Sequence, residues 1–253
     1  MTTAAKVQPT VSRGRAHYGV DGPNSVAGLV LGASGLLAGA AVALAARRRV
    51  GALLLAGGAL QALRAGTYLY ATLRGKFVVW QREIDALALT GSERVLDLGC
   101  GTGAVLLTVA RRLTTGRATG LDLWRPGDQS QNSESATRRN AEAEGLADRI
   151  DLVTGDMRAV PFEDASFDLV VSSLAVHNVP GEEGRTLAVT EALRVLRPGG
   201  RLLLADALHA DEYAATLREA GALDVAVRSL GWRVWYGGPW FVLTMVTARK
   251  RES

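Results

Sequence analysis

From Val26 to Ala46 the chain runs 21 residues without a charged side chain and then meets three arginines, Arg47–Arg49. Coiled as a helix, that run measures about 31 Å, close to the thickness of a bilayer's hydrocarbon core. A second apolar stretch, Val50 to Leu73, is interrupted by Gln61 and Arg64. It ends in TYLYATLRGK, where Tyr68, Tyr70, Arg74 and Lys76 suit a membrane–water interface. Gly28 and Gly32, then Gly35 and Gly39, form two G-x-x-x-G pairs of the kind that lets membrane helices approach closely.

From Phe77 the period changes. Short apolar runs predict strands near Arg94–Leu98, Ala118–Leu123, Ile150–Thr154, Asp168–Ser173, Arg201–Ala205, Leu223–Arg228 and Phe241–Thr247, with helices near 104–114, 133–144, 184–196 and 210–220. Strand–helix alternation builds a parallel sheet covered on both faces, and the last two strands, joined by a Gly-, Trp- and Tyr-rich connection, predict an antiparallel hairpin closing it. The expected organisation is a tail (1–25), a membrane-embedded helical hairpin (26–76) and an α/β, Rossmann-like seven-stranded catalytic domain (77–253).

Charge sharpens this division. Residues 1–91 carry ten Lys and Arg against Asp21, Glu83 and Asp85, a net +7, which leaves −3 on the remainder. A basic, apolar front on a mildly acidic body suits membrane lipid and not nucleic acid, whose enzymes carry their basic excess at the active site. If both apolar segments cross, Arg47–Arg49 lie outside and Arg13, Arg15, Arg74, Lys76 and Arg82 inside, which agrees with the positive-inside rule. The alternatives are a single span with the second segment along the interface, or a soluble hairpin covering the catalytic domain. The one cysteine, Cys100, excludes an intramolecular disulfide and any multi-cysteine metal site, and no metal is expected.

The chemistry begins at RVLDLGCGTGAVLLTVARRL. An apolar strand delivers Asp97, and Gly99-Cys100-Gly101-Thr102-Gly103 opens a helix. A pyrophosphate binder gains nothing from an acid before the first glycine, and the spacing G-x-G-x-G is not that of a dinucleotide fingerprint. Asp122 ends the next strand and Asp156 follows the third. Three carboxylates on one crevice edge suit a ligand with a cationic amine, ribose hydroxyls and an aminopurine, and no phosphates.

The run from Glu93 to Lys250 resembles a class I S-adenosylmethionine-dependent methyltransferase of the small-molecule (type 11) group, through VLDLGCGTG, Asp122, GDMRAVPFEDASFDLVVSS and ALRVLRPGGRLLLAD. The resemblance implies that Asp97 and the Gly99–Gly103 backbone hold the methionine moiety of S-adenosyl-L-methionine. Asp122 then binds the ribose, Leu123 packs on adenine, and Asp156 with Met157 completes the adenine pocket. The chain departs from the pattern in a longer loop, Trp124 to Ser133, read either as a lid or as a surface loop with Ser133 capping a helix. It also lacks an insertion after LLLAD to cover the acceptor.

The acceptor side is left to GWRVWYGGPWF, with Trp232, Trp235, Tyr236 and Trp240, and to the segment running through Trp80. His177, after the fourth strand, is the candidate general base; its alternative is a histidine that packs in the pocket. The resulting expectation is methylation of a lipophilic small molecule at the cell membrane, with the catalytic domain facing the cytoplasm. The alternatives are a membrane-anchored protein methyltransferase and a soluble enzyme whose N-terminal helices cover the pocket.

Overall fold

The computed structural model describes residues 16–252, so Arg13, Arg15 and most of the tail lie outside the described residues. Pro23, whose missing N–H costs nothing at a first helical position, opens α1 (Pro23–Ala45). The chain turns at the arginines and returns as α2 (Val50–Tyr70). A π turn at Ala71–Gly75 then carries the same helix into α3 (Lys76–Ala86). By length and composition alone, α1 and the α2–α3 helix qualify as membrane spans. Their outward faces are apolar, Leu31 being 72% and Leu53 75% exposed.

The glycines at the α1–α2 seam are only partly those expected. Gly32 and Gly39 face Gln61 and Leu54, but Gly28 and Gly35 look into open space. The tightest positions are on α2: a Cβ on Gly51 would come within 2.7 Å of Leu44, and one on Gly58 within 2.7 Å of Leu37. Gly75 is tighter still, since its Cβ would lie 1.7 Å from the Arg233 carbonyl oxygen. The π turn thus runs directly against the body.

The body alternates β1 (Arg94–Leu98), α4 (Ala104–Ala110), β2 (Arg117–Asp122), α5 (Glu134–Glu144), β3 (Ile150–Thr154), β4 (Phe167–Ser173), α6 (Glu182–Arg194), β5 (Leu196–Asp206), α7 (Ala210–Glu219), β6 (Leu223–Ser229) and β7 (Thr244–Arg249). They build the expected Rossmann-like seven-stranded sheet, in the order β3-β2-β1-β4-β5-β7-β6, with β7 antiparallel to both its neighbours. Neighbouring residues of β1 feed opposite faces: Val95 joins the core under α3 and α4, with Trp80, Ile84 and Leu107, while Leu96 joins the core under α6 and α7.

Several boundaries differ from the sequence reading, among them β5, which starts at Leu196 and not at Arg201, and α6, which ends at Arg194 and not at 196. β7 starts at Thr244 and not at Phe241, because Phe241 and Val242 stay in the preceding turn, where Tyr236 N–H donates to the Phe241 carbonyl and Val242 bridges Trp235. α4 ends at Ala110, its last turn unwinding toward Leu113.

Candidate active site

The strand order reverses at β1, where β2 lies on one side and β4 on the other, and ligands of open α/β sheets bind beyond the strand ends at such a point. A cavity of about 610 Å³ occupies this position. Asp97, Gly99, Cys100, Gly101, Asp122, Leu123, Asp156, Met157 and His177 all line it. Thr102 and Gly103 do not: the Thr102 hydroxyl donates to the Tyr18 carbonyl, and Gly103 starts α4 against Thr137.

The glycine turn needs its glycines. Gly99 and Gly101 have φ of 72° and 51°, and a Cβ on Gly99 would lie 2.2 Å from that of Ala175. Asp97 at the end of β1 is 1% exposed, and its Oδ2 has no hydrogen-bond partner among the described residues. Burial, with the nearby Asp122 carboxylate, pushes its carboxyl up to about 8. A buried acid without a counter-ion, facing a backbone cradle, fits the cationic amine of S-adenosylmethionine.

Asp122 is held ready at the end of β2. Gly101 N–H donates to one carboxylate oxygen at 2.8 Å and Trp124 N–H to the other at 2.6 Å. Beside it Leu123 is 41% exposed in the cavity, a flat apolar surface of the kind a purine covers. Asp156 ion-pairs with Arg158, whose hydrogen bonds hold its carboxyl below the usual range.

The Trp124–Ser133 loop turns out to serve both of its alternative readings. Ser133 Oγ accepts from Ala136 N–H and caps α5. Gln129 meanwhile reaches inward, accepting from Thr102 N–H at 2.9 Å and donating to Asp21 Oδ1 at 2.7 Å. It meets residues 17–22, which cross the glycine turn as a strap. The strap is fastened by Asn140 to the His17 backbone, by Ser130 Oγ to Val20 N–H and by Thr72 Oγ1 to Asp21 N–H. This closure escapes sequence reasoning: the only sign of it is Asp21, the one acid in the basic front before Glu83.

Lys76 was expected at an interface and is instead buried, with Nζ 2.9 Å from both carboxylate oxygens of Asp21. Tyr236 and Thr72 hydroxyls also donate to that carboxylate. Burial opposes charge on Asp21, but Lys76, with the Gln129 and Thr72 hydrogen bonds, outweighs it and holds the carboxyl below its ordinary value.

On the far side, His177 Nδ1 lies 2.6 Å from Oδ1 of Asp206, a buried residue at the end of β5 that also accepts from His177 N–H and Ala207 N–H. Burial works against a charged imidazole, yet the Asp206 hydrogen bond and charge prevail and raise its pKa. Asp206 was missing from the predicted site, although its place at a strand end beside β4 was a usable signal. Of the aromatic turn, Tyr236, Trp240 and Phe241 line the cavity, while Trp232 stacks on Tyr70 outside it. Trp80 fixes the wall from α3, donating Nε1–H to Ser173 Oγ.

Residues 96–204 match a family model described as a methyltransferase domain. A ubiquinone/menaquinone biosynthesis C-methyltransferase, UbiE, from Roseobacter denitrificans is 38% identical over 127 residues, 50% of this chain and 47% of the relative. A demethylmenaquinone methyltransferase from Lactiplantibacillus plantarum is 32% identical over 135 residues, 53% of each. The chain thus spans about half the length of the curated relatives it matches. Among solved structures, the [4+2]-cyclase SpnF superposes with a TM-score of 0.55 at 24% identity, over 68% of this chain and 82% of its own, a likeness of fold alone.

Proposed function

We propose that this chain, which carries a class I S-adenosylmethionine-dependent methyltransferase domain, methylates a lipophilic, quinone-type small molecule drawn from the cell membrane, with its catalytic face toward the cytoplasm. The observation that carries this reading is the composition of the cavity wall. Asp97, Asp122 and the glycine turn share that wall with Leu29 of α1 and with Arg64 and Tyr68 of α2. One cavity thus joins a site suited to a water-soluble cofactor to helices whose outward faces are apolar. Relatives named for quinone methylation support the acceptor class.

When bound, S-adenosylmethionine supplies a methyl group for in-line displacement, the sulfur keeping the bonding pair. The chain's residues divide the remaining work. Asp97 would take the cationic amine, Asp122 the ribose hydroxyls, and Leu123, Met157 and Asp156 the adenine. The strap and Gln129 cover the Thr102 side of the glycine turn. Asp206 holds His177 Nδ1, which leaves Nε2 without a protein partner among the described residues and able to accept the proton that the acceptor loses. Tyr236, Trp240 and Phe241 line the same cavity, and such an aromatic surface suits an apolar ring better than a peptide backbone.

The test is fractionation of the expressed protein with an alkaline wash, followed by incubation of the membranes with methyl-labelled cofactor and a demethylated prenyl quinol. Retention through the wash with label in the quinol is the expected result. Release by the wash would make α1 and α2 a cover on a soluble enzyme, and label in protein alone would move the acceptor to a polypeptide.

A further inference from the structure

Arg64 is the one charged residue of α2, and among the described residues no carboxylate lies within ion-pairing distance of it. It is nonetheless held in place. Its Nε donates to the Gly237 carbonyl at 3.2 Å, one Nη1 hydrogen goes to Gln61 Oε1 at 2.8 Å, and the guanidinium lies over the Trp240 ring, 5.5 Å from its centroid. The Nη2 group has no acceptor in the protein among the described residues, and Arg64 lines the cavity. Arg64 and Leu29 each sit six residues in from the open end of the hairpin, about 9 Å along it. Five aspartates share the cavity wall with Arg64, namely Asp21, Asp97, Asp122, Asp128 and Asp156, and among the described residues none is ion-paired with it; Asp21 is taken by Lys76 and Asp156 by Arg158.

A cation fixed by neutral partners, in apolar surroundings, with donors left facing a cavity, is arranged for an anion that arrives. A point charge on a flexible stem would not need this scaffolding; a planar guanidinium clamped on three sides presents its remaining N–H groups in one direction. Building on the proposal of a lipophilic acceptor, we propose that Arg64 is the acceptor's anchor. In this view the natural acceptor is an amphiphile with an acidic oxygen, such as a phenol or enol, bound as the oxyanion against Arg64, with its hydrocarbon part toward α1 and α2. The same contact selects acceptors: a lipid of equal size without an ionisable oxygen leaves Arg64 unpaired in the filled cavity and is rejected.

The probe is 4-dodecyl-2-nitrophenol, whose phenolate absorbs in the visible, titrated with the full chain in nanodiscs of zwitterionic lipid. Its methyl ether serves as the competitor without an ionisable oxygen. The expected result is a titration midpoint about one pH unit lower with the wild-type protein than in empty nanodiscs, and about tenfold weaker binding of the ether, the scale of a hydrogen bond to a charged group. Arg64→Gln should return the midpoint to that of empty nanodiscs, and Arg64→Lys should keep part of the shift. Cofactor binding, measured on each variant, reports that the fold is intact. An unshifted midpoint in the wild type, equal binding of phenol and ether, or a full shift surviving in Arg64→Gln would each overturn the assignment. The titration needs neither cofactor nor turnover. Absence of methyl transfer with a shifted midpoint would therefore defeat only the enzymatic reading, and turnover with an unshifted midpoint only the role of Arg64.

Discussion

Lys76 Nζ stands 2.9 Å from both carboxylate oxygens of Asp21, and this one pair joins the strap over the glycine turn to the helix that continues from α2. Both side chains are largely buried, so their attraction is weakly screened but their desolvation is costly. Removing one partner is worse than removing both. Lys76→Met is expected to destabilise the protein by about 3 kcal/mol, the cost of leaving a buried carboxylate unpaired, and Lys76→Met/Asp21→Asn to recover a large part of it. Thermal unfolding in detergent, read for both variants, checks this. A Lys76→Met protein as stable as wild type would show the pair to be dispensable.

The same pair sets an acid limit. Asp21's carboxyl is lowered in the folded protein, so the stability it adds is fully present above its unfolded pKa, near 3.8. That stability is lost as the pH falls through the lower folded value. Asp21→Asn should therefore flatten the acid limb of stability against pH. An unchanged limb would assign acid sensitivity to other carboxylates.

Asp97 makes the opposite prediction. Its carboxyl, pushed up to about 8, is largely protonated at pH 7 and must ionise to meet a cationic amine. Binding of S-adenosylmethionine at pH 7 is thus expected to release about one proton, read by calorimetry in buffers of different ionisation enthalpy. Asp97→Asn should bind at least about tenfold more weakly and release none. Proton release unchanged in that variant would place the titrating group elsewhere.

How far the sequence already revealed this site depends on how local each signal is. The glycine turn, Asp122 and Asp156 were legible because each sits at a strand end, and a strand's apolar period marks its own end. The strap was not, since its fastening runs from His17 to Asn140 and from Val20 to Ser130, across more than a hundred residues of sequence. The α1–α2 seam misled for a related reason. G-x-x-x-G spacing marks helix faces suited to close approach, but which face meets a partner is decided by the turn at Arg47–Arg49 and by the body beneath. Gly51 and Gly58, spaced by seven, are the ones that meet the facing helix most closely.

That seam can be tested by contrast. Gly58→Val puts atoms where Leu37 already lies and is expected to cost about 1–3 kcal/mol, whereas Gly28→Val points into open space and should leave packing unchanged. Resistance of the detergent-solubilised protein to thermal aggregation distinguishes them. Equal behaviour of the two variants would remove the close α1–α2 approach as a determinant of stability.

The His177–Asp206 pair decides whether the imidazole is a base or only packs. Asp206 raises the His177 pKa against the effect of burial, so protonation should extend to higher pH than for an ordinary histidine near 6.5. A base must be neutral to accept the acceptor's proton, so the rate should fall on the acid side through that raised value. Replacing Asp206 by Asn removes the charge and weakens the hydrogen bond that raise it, and leaves burial, which lowers it, against the Asp128 charge alone. The acid limb of kcat should then move to lower pH, even as kcat on the plateau falls because the ring is less firmly oriented and less basic. His177→Ala should abolish the limb and lower kcat by about 10²–10⁴, with cofactor affinity unchanged. The pH profile separates these roles where a single-pH rate would not. A packing histidine predicts modest losses in both variants and a limb that stays in place, and that outcome would leave proton removal to solvent.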